Sequence, residues 1–369
     1  MVSAVEEKQR GSDLIRRLVQ GSILIGLIAL TAWNLTRTDA LREAIASYPP
    51  SDRDDIGALR LSLRRATDHL SRRPNDPRAA LVAARCLSRL RYNELAERYY
   101  EIAEKGGSLG LNDLRSRAEC LTNARQLEKA VAVEEAILRF DPNDALALRR
   151  LGGIRFGQKR YDEAIQLAER LTKVADSEVT GWLMLGTVYQ EKLLAKQAAD
   201  AYERVLRLDP DLSKLGNLPT DLFWSDYTES MLMAGEGRAA LARKALEDAI
   251  KMRESGVLWD LLGRAYQEES SENSTEQAER CYRKAIVIDP KLAAPWKHLG
   301  ILQSVSHPKD ALEMLEQANT LAANDVQTIH HLGLIHNRLG HKDQAKTYME
   351  RAAALRTKEK PKGGMGEMP

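Results

Sequence analysis

The sequence predicts an all-α chain, a solenoid of helical hairpins preceded by one transmembrane helix. Three observations carry this. Small residues recur every 34 positions at Ala84, Ala118, Gly152 and Gly186, and a second series, Ala96, Ala130, Ala164 and Ala198, runs in step with it. Leu-Gly pairs return at Leu151-Gly152, Leu185-Gly186, Leu262-Gly263, Leu299-Gly300 and Leu332-Gly333. Nineteen residues without a charge, 18–36, lie between Arg17 and Arg37. A glycine inside a helix costs about 1 kcal/mol relative to alanine. A sequence that repeats this cost needs the missing side chain, because a second helix passes close by.

Residues 1–17 form a short N-terminal tail carrying Lys8, Arg10, Arg16 and Arg17. At about 1.5 Å per helical residue, the run 18–36 nearly crosses a hydrocarbon layer of about 30 Å. Trp33 suits the interface. No A-x-A site follows, so the run is expected to be an uncleaved signal anchor. The positive charges before it place the N-terminus in the cytoplasm and the body outside, in the periplasm if the cell is bacterial. Residues 37–55 read as a linker with a Pro49-Pro50 hinge or spacer, and 56–76 as an N-terminal capping helix. About eight hairpin repeats follow over 77–357, with 213–255 degenerate and carrying an insertion. The tail 358–369 is polar, rich in Gly and Pro, and expected to be disordered.

Residues 179–212, VTGWLMLGTVYQEKLLAKQAADAYERVLRLDPDL, resemble a tetratricopeptide repeat, with Trp182, Leu185, Gly186, Tyr189, Ala198, Tyr202 and Pro210 on the family pattern. Trp182, Leu185 and Tyr189 share one face of a first helix, Gly186 and Ala198 are small where two helices cross, and Asp209-Pro210 ends the second. Residues 256–292 and 293–325 match as well. The resemblance implies a right-handed superhelix and a concave groove, lined by the first helices, that holds an extended or helical peptide. Mapped onto this chain, that groove comprises Arg78, Arg85, Arg115, Glu119 and Arg149 in the early units. Later units add Thr187, Gln190, Asp260, Arg264, Lys297, His330 and Asn337. The early arginines suit an acidic partner, since guanidinium groups bind carboxylates bidentately.

Six of the seven histidines follow residue 297, four of them within 328–341. They lack the i, i+4 spacing of a chelating helix: His331 and His336 point about 140° apart, so packing and surface roles are expected rather than a metal site. Cys86, Cys120 and Cys281 are too far apart for a C-x-x-C pair. Phosphate loops, H-E-x-x-H and G-x-S-x-G elbows do not occur in the sequence. The expectation is therefore a protein that is not an enzyme and needs no cofactor. A metal-dependent enzyme built on the C-terminal histidines is the weakest alternative. A net charge of +2 gives no polyelectrolyte character for nucleic acid. The expected partners are a protein or peptide, together with the membrane through residues 18–36. The function expected is a membrane-anchored scaffold or adaptor, the alternative an auxiliary or regulatory subunit of a membrane enzyme or secretion complex.

Overall fold

The computed structural model describes residues 41–50 and 55–359, apart from 108, 175–177, 216–217, 236, 270 and 272 and the side chains of 358 and 359. The expected membrane span, 18–36, and the tail from 360 onward lie outside the described residues. Among the described residues every regular element is helical, and no helix is long and apolar enough to cross a membrane. The chain forms two compact units, 1–160 and 161–369.

The first unit contains α1 (Ile56–Arg72), α2 (Pro77–Arg89), α3 (Asn93–Lys105), α4 (Leu111–Asn123), α5 (Leu127–Phe140) and α6 (Ala145–Gly157), with each of α1 to α5 packed on its successor. Carboxylates start several of these helices. Asp76 accepts from the N–H groups of Arg78 and Ala79, and Asp144 from that of Ala147 at 2.8 Å, which satisfies backbone donors that a first turn leaves open. Alanine-rich α2 is buried on most of its circumference, against α1, α3 and α4. The stretch expected to be a spacer is partly docked. Residues 41–46 are helical, Ala44 is fully buried, and Leu41 and Tyr48 pack against the same cluster. The hydroxyl of Ser62 donates to the carbonyl of Ala44 at 2.7 Å, and Arg89 donates to that of Pro49 at 2.9 Å. Apolar residues three and four apart give this segment one sticky face, and the unit's first helix supplies the surface it covers.

The second unit contains α7 (Tyr161–Leu171), α8 (Glu178–Glu191), α9 (Ala195–Leu208), α10 (Thr220–Ala234), α11 (Arg238–Met252), α12 (Gly256–Glu269), α13 (Ser274–Ile288), α14 (Ala293–Gln303), α15 (Pro308–Leu321), α16 (Val326–Arg338) and α17 (Lys342–Glu359). The helical glycines sit where the sequence requires a close crossing. A Cβ on Gly186 would stand 2.7 Å from the ring of Tyr202, one on Gly263 2.5 Å from Tyr282, and one on Gly300 2.8 Å from Leu315. The phenol that covers each of the first two glycines then finds a partner. Tyr202 donates to Gln190 at 3.0 Å and Tyr282 to Gln267 at 2.5 Å, in both cases a glutamine four residues after the glycine. In the degenerate stretch, Phe223, Trp224, Tyr227 and Met231 are buried, and Phe223 meets Tyr202 edge-on at 5.7 Å. The inserted residues before them fold onto Asp209, whose carboxylate accepts from Ser213 and from the N–H of Lys214, while Leu212 and Leu215 enter the core.

The turns inside the hairpins repeat with the sequence. Arg91, Arg125, Lys159 and Leu193, again 34 apart, all have φ between 57° and 65°. The following N–H reaches back five residues, for example Tyr92 to Leu87 and Leu194 to Tyr189, both at about 2.9 Å or less. This is a Schellman closure, normally built on glycine. In the final hairpin Gly340 takes this place at φ 83°, and Gly235 and Gly237 of the α10–α11 turn also have positive φ.

Candidate peptide-binding groove

Helices α10, α12 and α14, together with Gln327 of α16, line an open cavity of ≈ 870 Å³ in the second unit. Its charged groups are arranged as bridges between neighbouring hairpins. Arg264 of α12 donates to Glu229 of α10 at 2.7 Å, His298 of α14 meets Asp260 of α12 at 2.8 Å, and Lys297 lies 3.4 Å from Asp325, the cap of α16. Burial raises the pKa of Asp325, but hydrogen bonds from Thr328 and the charge of Lys297 outweigh it and hold the carboxyl below its ordinary range. Between the bridges the walls are apolar, from Val257, Leu261 and Ile301, and Met233 stands 58% exposed at the edge. The arrangement can offer a chain apolar contacts and a fixed row of polar groups.

The tetratricopeptide repeat family matches residues 179–212 and 326–359. These segments are tetratricopeptide repeats. A 108-residue stretch is 29% identical to ER membrane protein complex subunit 2 of Dictyostelium discoideum, covering 29% of this chain and 34% of that one. The match thus spans about a third of that relative's length. Among solved structures, the chain is similar to a tetratricopeptide repeat protein from Parabacteroides merdae (16% identity, 76% of this chain, 99% of that one, TM-score 0.44). It is also similar to YrrB, described as a TPR protein with an unusual peptide-binding site (17% identity, 53% of this chain, 96% of that one, TM-score 0.40).

Of the residues the repeat pattern nominates, the structure gathers Asp260, Arg264 and Lys297 in this cavity. Thr187 and Gln190 are committed inside their own repeat, Thr187 donating to the carbonyl of Leu183 and Gln190 accepting from Tyr202. His330 lies edge-on to His331, centroids 5.8 Å apart, and Asn337 is exposed on the same helix outside the cavity wall. The early arginines do not form one open cationic site. Arg85 grips Asp113 with two hydrogen bonds of 2.7 and 3.0 Å, and Arg115 holds Asp144 at 2.5 Å, so each already has the carboxylate expected from a partner. Arg78 lines a different cavity, and Arg149 is exposed on α6. Glu119 lies 3.5 Å from Arg91.

Sequence reasoning missed Glu229, His298 and Gln327. Glu229 sits in the degenerate repeat, where the 34-residue phase is lost. His298 was weighed as a packing residue, yet its place beside Lys297 on a first helix was the available signal. Among the described residues no three or more His, Cys, Asp or Glu side chains gather as a metal site. His336 is buried, stacked on Tyr348 at 5.3 Å and paired with His341 at 3.2 Å. Burial, then the neighbouring His341, lower its pKa and favour the neutral ring.

Proposed function

We propose that this chain is a membrane-anchored scaffold that holds a protein or peptide partner in the groove of α10, α12, α14 and α16, in envelope assembly or the maturation of a complex. The observation that carries this reading is the groove itself. Paired charges fix its rows, an exposed methionine marks its edge, and Glu268 and Gln327 line it beside apolar walls. A peptide fits such a site because apolar side chains can enter between the bridges while polar groups set its register. The uncharged run 18–36 supports the anchor, and the charges that precede it support a cytoplasmic N-terminus with the repeats outside the cytoplasm.

The test is capture of partners by full-length protein, followed by capture with Met233→Asp and Glu268→Lys, which alter the groove without touching the core. Loss of the same partner from both variants is expected, and unchanged capture by both would refute the groove. Protease digestion of C-terminally tagged protein in spheroplasts, with an alkaline wash of the membranes, checks the anchor. A retained body digested from outside is expected, and a washed-off or protected body would overturn the anchor or its orientation. A second reading, a non-catalytic subunit of a membrane complex, is favoured by the likeness to ER membrane protein complex subunit 2. It requires the chain to purify in fixed stoichiometry with a larger assembly.

A further inference from the structure

A second cavity, of ≈ 720 Å³, opens in the first unit where residues 41–46 meet the end of α1 and the start of α2. Leu41, Ile45 and Pro77 give it apolar walls, and Arg42, Arg73 and Arg78 stand around it. All three arginines are exposed, and none has an acidic partner among the described residues. The carboxylate in the wall, Asp76, is already occupied by His69 at 2.9 Å and by the N–H groups that start α2. Ile45 is left 52% exposed. The helix that ends at this cavity continues the pattern: Arg60, Arg64 and Arg72 are exposed on α1 against the single carboxylate of Asp68, with Leu61 exposed among them.

Cations around apolar walls suit an anion that carries hydrocarbon better than a bare anion, which would gain nothing from Leu41, Ile45 and Pro77. The chain itself limits what lies nearby. Residue 41 is five residues beyond the end of the uncharged run at 36, so the two are at most about 18 Å apart. We propose that this corner of the first unit docks on an anionic bilayer surface, with Arg42, Arg73 and Arg78 on phospholipid phosphates and Ile45 in the interfacial layer. The docking rests on the anchor proposed above, and it sets the first repeats flat against the membrane rather than on a free tether.

The experiment uses full-length protein reconstituted into vesicles of phosphatidylcholine alone or mixed with phosphatidylglycerol. The three native cysteines are buried, so Ile45→Cys can carry an environment-sensitive fluorophore, with Leu334→Cys on α16 of the second unit as the control. A blue shift at position 45 with phosphatidylglycerol, its absence with phosphatidylcholine, and no shift at position 334 are expected. Replacing Arg42, Arg73 and Arg78 by Gln should weaken the phosphatidylglycerol dependence by roughly fivefold per arginine, and salt should do the same. Equal emission in both vesicles, or a shift that survives the triple replacement, overturns the proposal. A shift evoked equally by polyglutamate over neutral vesicles assigns the surface to an acidic protein and also overturns it. Flotation separates the two readings: protein that floats with both vesicles but shows no shift keeps the anchor and loses the docking. Protein that floats only with anionic vesicles, through these arginines, loses the anchor and keeps the docking.

Discussion

In the hairpin of α8 and α9, the place sixteen residues after the small residue is filled by Tyr202, closed over Gly186 and hydrogen-bonded to Gln190. In the hairpin of α4 and α5 the same place holds Glu134, fully buried and paired with Arg150 of α6. Between the units the difference is one of proportion, since Tyr100, sixteen residues after Ala84 in the first unit, is a fully buried ring as well. The first buries charge: Glu97 and Arg117 face each other with hydrogen bonds of 2.8 and 2.9 Å, both almost without solvent contact. The second buries rings, with Tyr202, Phe223, Tyr227 and Tyr282 all at 2% exposure or less. One hairpin geometry therefore accepts two interior chemistries. Rings gain from burial outright, whereas each buried ion is worth its place only while its partner remains.

The largest effect should come from breaking a pair in the first unit. Arg117→Met leaves Glu97 buried with Lys129, 4.0 Å away, in place of its hydrogen-bonded partner, and should cost about 3–5 kcal/mol in urea unfolding. The double variant Glu97→Leu, Arg117→Met should recover most of that loss; a double variant as unstable as the single would show that the pair is not the reason.

Crowding is the corresponding weakness of the second unit. Gly263→Ala places a methyl against Tyr282 and should cost about 1–3 kcal/mol. Gly153→Ala, in open space on α6, should instead gain up to about 1 kcal/mol. Equal effects at the two sites would remove the distinction between socket and surface glycine.

Glu134 makes the comparison depend on pH. Burial raises its pKa to about 7, and the nearby Arg150 only partly offsets this. The folded state therefore holds a proton that the unfolded chain releases near pH 4.5, so the stability from this group is full below that pH and is lost as pH rises towards 7. Glu134→Gln should flatten that slope, read as the difference between unfolding midpoints at pH 5 and pH 7.5. An unchanged slope would assign it to other groups.

The smallest effect lies in the turns, which both units share. Arg91, Arg125 and Leu193 occupy a left-handed conformation that costs an L-residue roughly 1–2 kcal/mol, so each change to Gly should raise stability by about 0.5–1 kcal/mol after glycine's own entropy is counted. Thermal unfolding of the triple variant would show whether the gains add.

The hairpins and their crossings were legible because the signals are local. A glycine and the aromatic that covers it are separated by one turn, and Gly186 with Tyr202 needs nothing from elsewhere in the chain. The docked segment was not legible, since the apolar face of Leu41, Ala44 and Tyr48 has no surface to cover until α1 and α2 are in place. The groove was half legible for a related reason. Asp260, Arg264 and Lys297 were placed on its surface by register, but Arg85 and Arg115 were read as open cations. Their carboxylates, Asp113 and Asp144, lie 28 and 29 residues further on, at the start of the next hairpin, a distance over which helical periodicity gives no information.

Those two contacts limit how the array can be rearranged. Arg85 belongs to one hairpin and its carboxylate to the next, and Arg115 makes a bridge of the same kind one step along, from a different position of its repeat. Excising the hairpin of α4 and α5 would remove an acceptor and a donor together, leaving Arg85 and Asp144 balanced in charge but out of register, since Arg85 follows its small residue Ala84 by one and Arg115 precedes Ala118 by three. Duplicating that hairpin would add one acceptor and one donor. In this part of the chain, whole-repeat gain and loss keep donors and acceptors equal in number where a half-repeat exchange does not, and the array has a direction that its helices alone do not give it.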